Sequence, residues 1–256
     1  MKMKLLGILV GLLCVAACSV KEDRMECPCH LVLDLRDVDT SIIKEADVYV
    51  EASRGFVFNE VMDSCYLGND YVMSVPKGRV NVWAYSGAEE YSPGPEGLKI
   101  PYGDDCPEVY MHCSSFDALQ ESAVEKVSLH KNHAVLTVHL QSEHSSAYDI
   151  AITGNVNGYD AEGKPSEGGF RYEMSFEDGV GRVVLPRQTD TSLKLEVVDG
   201  EDTFRVFSFG EYIESSGYDW TRANLEDITM TLDYALSSVG FRINDWEKEY
   251  HFDIVI

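Results

Sequence analysis

Four histidines, His130, His133, His139 and His144, fall within fifteen residues, a density that invites zinc binding or acid–base work. Their spacing argues against both. On a strand, where side chains alternate between faces, His133 and His139 share one face and His130 lies on the other. No carboxylate cluster completes a site, so solvent-facing strand residues are the expectation. Cys27-Pro28-Cys29-His30 is the second candidate. Zinc sites use longer cysteine spacings with a second ligand pair, and this chain offers none nearby. Asn155, Asn157, Asp160 and Glu162 could hold calcium, but Val156 and Tyr159 interrupt the ordered oxygen ligands of a calcium loop. Asn157-Gly158 is an ordinary hairpin signal, and a turn is the expectation there. Neither a Gly-x-Ser-x-Gly elbow nor a glycine-rich phosphate loop occurs. These readings lead to a non-enzyme with no catalytic residues, no metal and no cofactor.

Cys18 is the cysteine with a definite chemistry. Lys2 and Lys4 supply positive charge, Leu5 to Ala17 carries no charged residue, and Lys21-Glu22-Asp23-Arg24 follows at once. That is the layout of a signal peptide, here residues 1–17. The apolar run is shorter than the roughly 20 residues that a spanning helix needs. Val15-Ala16-Ala17-Cys18 has the form of a bacterial lipobox, with small residues for a narrow peptidase cleft and then the acylated cysteine, which becomes the mature N-terminus. Acyl chains contribute about 0.8 kcal/mol per buried CH2, so several chains hold a protein on a membrane for long periods. Residues 18–26 read as a lipidated linker. Within it Lys21, Glu22 and Asp23 resemble the surface-export signal of Bacteroidetes lipoproteins, with a solvated linker as the plainer alternative.

Cleavage would leave 19 Lys and Arg against 44 Asp and Glu, a net charge of −25. Such a surface repels phosphate, so nucleic acid is not a partner, and anionic headgroups do not hold the chain. The tether to a membrane therefore works through covalent lipid. Of seven cysteines, Cys14 leaves with the signal and Cys18 carries lipid, so five remain: Cys27, Cys29, Cys65, Cys106 and Cys113. Outside the cytoplasm disulfides are permitted, and Cys106 and Cys113 are near enough to close a small loop, with connectivity left open.

The elements that position these residues are short and β-like. Leu31, Leu33 and Leu35 alternate with Val32, Asp34 and Arg36, the period of a half-buried strand. Ala46 to Ala52 repeats it, and further strands are expected at Gly55 to Phe58, Asp70 to Val75 and Arg79 to Ser86. Between Gly87 and Pro107 the turn formers Pro93, Gly94, Pro95, Gly97, Pro101 and Gly103 predict a long surface loop. A second β region starts near Val124, and strands recur to Ile256, with Gly210 to Asn224 helical or irregular. Closely spaced strands without amphipathic helices favour sandwiches or barrels over βαβ units. The expectation is an all-β chain with one β region at residues 27–123 and a second at 124–256.

Several phrases occur in a telling order: Cys27-Pro28-Cys29, Leu129-His130-Lys131-Asn132, Ile152 through Asp160, Leu185-Pro186-Arg187-Gln188, Ser216 through Trp220, and Leu225-Glu226-Asp227-Ile228. The set is similar to the fimbrial anchor (FimB-like) lipoprotein family of Bacteroidales, within the fimbrillin superfamily, and covers nearly the whole mature chain. The resemblance implies two tandem transthyretin-like β-sandwiches, a lipid anchor in the outer membrane and a place at the base of a fimbrium. It also implies a fimbrial shaft subunit as partner, held by strand pairing, and a part in assembly or length control. The alternative is a surface glycan-binding lipoprotein, for which Trp83 and Tyr218-Asp219-Trp220 would have to present stacking faces rather than fill a core.

Overall fold

The computed structural model describes residues 26–140, 149–199, 202–233, 238–243 and 246–250, so the signal peptide, Cys18, Lys21, Glu22, Asp23 and His144 lie outside the described residues. The fold is all-β. The first half contributes β1 (Cys29–Asp34), β2 (Ala46–Ala52), β3 (Phe56–Met62), β4 (Asp70–Val75), β5 (Gly78–Ser86), β6 (Leu98–Lys99), β7 (Tyr110–Ala118), β8 (Ser122–Lys126) and β9 (His130–Lys131). β1 runs between antiparallel β4 and parallel β8, and this sheet faces a second one ordered β3-β2-β5-β7-β9. The alternation read in β1 works as anticipated: Leu31, Leu33 and Leu35 are fully buried against Val48, Val50, Val80 and Val82. Each such side chain contributes about 1.5–3 kcal/mol by leaving water.

The second half contributes β10 (His133–Leu140), β11 (Asp149–Tyr159), β12 (Pro165–Met174), β13 (Phe176–Glu177), β14 (Val180–Pro186), β15 (Lys194–Asp199), β16 (Asp202–Phe207), α1 (Phe209–Ser215), β17 (Ile228–Asp233), β18 (Ser238–Ile243) and β19 (Trp246–Tyr250). They form one sheet ordered β13-β14-β10-β17-β18-β19 and another ordered β12-β11-β15-β16. Leu136, Val138, Ile152, Phe170, Leu185 and Leu195 fill the space between them. The segment read as helical or irregular is both. α1 is a single short helix, and turns follow it to Leu225.

Residues 87–107 depart from the surface loop expected of them. Ala88, Leu98, Ile100 and Cys106 are buried, and β6 adds to the second half by pairing with β11. Ala88 and Leu98 join the cluster around Trp83 while Ile100 and Cys106 enter the second core, so isolated apolar residues between turn formers show no period. Residue 123, where the texture placed the division of the chain, falls inside β8, whose partner is β1. The chain changes sheets at Asn132, between β9, paired with β7, and β10, paired with β14. Cys106 and Cys113 are not bridged, and both carry free thiols. Cys106 packs in the second core while Cys113 sits by the Tyr85 hydroxyl at 3.9 Å, so nearness in sequence does not bring them together.

Candidate functional site

The edge strands β3 and β4 lie side by side where the chain crosses between the two sheets of the first half. Among the described residues β3 is hydrogen-bonded only to β2 and β4 only to β1, and the turn between them carries the chain from one sheet to the other. Phe56, Phe58, Tyr71 and Met73 are half-buried along this opening, with the Phe58 and Tyr71 rings 5.6 Å apart. Val57, Val61 and Val72 point the other way and are 67%, 54% and 60% exposed. A free seven-residue edge with apolar groups on both faces, unblunted by Lys or Pro, is a template for another extended chain. The sequence marked this strand only as far as Phe58. Apolar residues of both parities, Phe56-Val57-Phe58 with Val61 and Met62, are the signal that was there to be read.

The two halves are tied together through a buried apolar cluster. Trp83, Tyr85 and Met111 form a second apolar face on β5 and β7, covered by Leu98 and Tyr159. Trp83 donates its indole N–H to the Ala161 carbonyl at 2.7 Å. The Tyr159 hydroxyl bonds the main chain of Asn132 and Arg187, and its burial raises its pKa. Gly158 carries φ +144°, and a Cβ there would stand 2.0 Å from the Leu98 carbonyl oxygen. Asp105 accepts the N–H groups of Val184 at 2.8 Å and Cys106 at 3.0 Å, yet burial pushes its carboxyl up to about 6. His133 is buried at 1% exposure, not solvent-facing. Its Nδ1 lies 3.1 Å from the Val109 carbonyl, its Nε2 has no hydrogen bond but lies 4.0 Å from the Glu108 carboxylate, and burial holds its pKa below the ordinary value.

The other candidates separate. His130 lies on β9 and His139 near the end of β10. Cys27 is exposed and Cys29 buried in the first core. Asp160 caps a turn by accepting the N–H groups of Glu162 and Lys164, and the Asn155 side chain bonds Asp190 and Ser192, so their oxygens are engaged in folding. Tyr218 is buried, donates to the Glu226 carbonyl at 2.6 Å and meets Trp220 edge-on, with ring centroids 4.7 Å apart at 65°. That pair packs; it does not present a flat platform for a sugar.

Solved structures share this architecture. A candidate adhesin from Bacteroides ovatus is 16% identical, with 91% of this chain and 98% of that one covered and a TM-score of 0.61. A candidate polysaccharide-binding protein from Bacteroides thetaiotaomicron is 13% identical over 87% and 98% of the two chains, at a TM-score of 0.64. The fimbrial anchor protein Mfa2 from Porphyromonas gingivalis is 14% identical over 88% of this chain and 100% of its own, at a TM-score of 0.61. At these identities the likeness is one of fold. No curated protein matches the chain. The family described as fimbrillin-A associated anchor proteins Mfa1 and Mfa2, however, matches residues 25–252, nearly nine-tenths of the chain. The chain belongs to the family of fimbrillin-A associated anchor proteins.

Proposed function

We propose that this protein is the base subunit of a fimbrium, held in the outer membrane by lipid on Cys18 and facing the cell exterior. Two tandem β-sandwich domains, meeting at Asn132, stand on that tether and pair strands with a shaft subunit. The observation that carries the reading is the family match across residues 25–252. The lipobox supplies the tether, and the open β3 edge beside β4 supplies a place for an extended segment of the shaft. Its part in assembly is to end the shaft at the membrane, which limits filament length. No step of this role requires bond chemistry.

Deleting the protein should release fimbriae into the medium, and Cys18→Ala should shift it from the membrane fraction to the soluble one. Fimbriae that stay attached at normal length in the deletion strain would refute the anchoring role. A glycan array run on the same purified protein tests the rival role directly.

A further inference from the structure

The two ends of β1 lie at opposite poles of the first sandwich. At the near pole Cys29 pairs with Val75 and His30 with Ser122, so the β4–β5 and β7–β8 turns gather where the chain comes in from its N-terminal side. At the far pole Asp34 pairs with Asp70 and Lys126. Both connections to the second sandwich, residues 87–109 and 127–132, leave from that far pole, because β5 ends and β7 begins there.

A chain held at its N-terminus and pulled through its second half is thus loaded along the axis of β1. The geometry points to β1 as a mechanical clamp, a strand built to resist axial tension. Its neighbours hold it on both sides, over six residue pairs with β4 and five with β8. The β8 pairing is closed at each end, by the His30 N–H on the Glu121 carbonyl at 2.9 Å and the Val127 N–H on the Asp34 carbonyl at 3.0 Å. Axial tension shears these bonds together, whereas peeling would break them one at a time. Sliding β1 also drags Cys29, Leu31 and Leu33, each with no exposed surface, past a close-packed facing sheet. The physiological source of the tension rests on the anchoring role; the mechanical property does not.

Single-molecule force spectroscopy on the full mature chain tests it with two attachment geometries. Each uses one handle at the N-terminus, with Cys18 and Cys27 replaced by Ser. The second handle is on the exposed thiol of Cys65, in the turn that leads to β4 at the far pole, or on Leu119→Cys at the near pole, with Cys65→Ser in that variant. Pulling against Cys65 shears β1 and should need a rupture force several-fold higher than pulling against position 119, which peels β1 from β8. Equal forces in the two geometries would overturn the clamp and leave the anchoring role untouched. Detached fimbriae in the deletion strain bear on anchoring alone. A Val32→Pro variant removes ladder bonds at mid-strand and should cut the far-pole force by about half or more while altering the near-pole force little.

Discussion

The Tyr159 hydroxyl donates to the main-chain carbonyl of Asn132 and accepts the Arg187 N–H at 2.8 Å, so one buried oxygen joins the link between the sandwiches to β11 and to the end of β14. Tyr159→Phe removes both bonds and leaves two polar main-chain groups without their partner in a dry place. It should destabilise the protein by about 1–3 kcal/mol in urea unfolding, with the largest loss of amide exchange protection at residues 130–133.

Gly158→Ala tests the seam between β6 and β11. An added methyl group meets the Leu98 carbonyl oxygen at 2.0 Å from a backbone at φ +144°, and neither atom belongs to a flexible side chain. The substitution should cost more than about 1 kcal/mol and open residues 87–107 to limited proteolysis. An unchanged cleavage pattern would mean that β6 is dispensable.

Asp105 and His133 should give opposite responses to acid. The Asp105 carboxyl is raised to about 6 in the folded state, so its contribution to stability is present in full below its unfolded pKa and is lost as pH rises through about 6. The His133 pKa is lowered, so the folded state resists protonation and stability falls as pH drops through the ordinary imidazole value. The wild-type profile between pH 4 and 7 is the difference of the two. Asp105→Asn should unmask the histidine and give a protein that loses stability steadily towards acid, as read by thermal melts across that range.

The β3 edge can be blocked without harming the sandwich. Val57→Lys and Val61→Lys place charges on outward positions that already face water, so folding stability should change by no more than about 0.5 kcal/mol. Recovery of the shaft subunit by pull-down should fall sharply, because edge lysines oppose strand addition. Undiminished recovery would move the docking site elsewhere.

Leu33→Ala serves as the measure of the first core. With no exposed surface and close neighbours on the facing sheet, it should lose about 2–5 kcal/mol.

What could be read from residue order alone was the face of a strand that points into its own sandwich. Leu31 and Leu33 in β1, with Leu35 just beyond it, and Val80, Val82 and Ala84 in β5 alternate because one side is buried and the other was free to be polar. Trp83 and Tyr85 broke that rule. They lie on the supposedly wet side of β5 and are covered by Tyr159, from far along the chain. Burial that arises where the two halves meet leaves no local period, and the same cause hid His133, Ala88 and Leu98. The candidate docking edge was hidden for a related reason. A strand with Phe56 and Phe58 on one face and Val57 and Val61 on the other does not alternate, and openness to a partner is a property of what is missing beside it.

The pairing of Leu98 and Lys99 with Gly158 and Tyr159 also sets an order of events. As the chain emerges during synthesis, β6 appears long before its partner, and the oily wall of Trp83 and Met111 stays bare in the meantime. That wall is therefore covered only once β11, which ends at Tyr159, has joined it. A chain that stops short of Tyr159 leaves this apolar flank exposed and open to association.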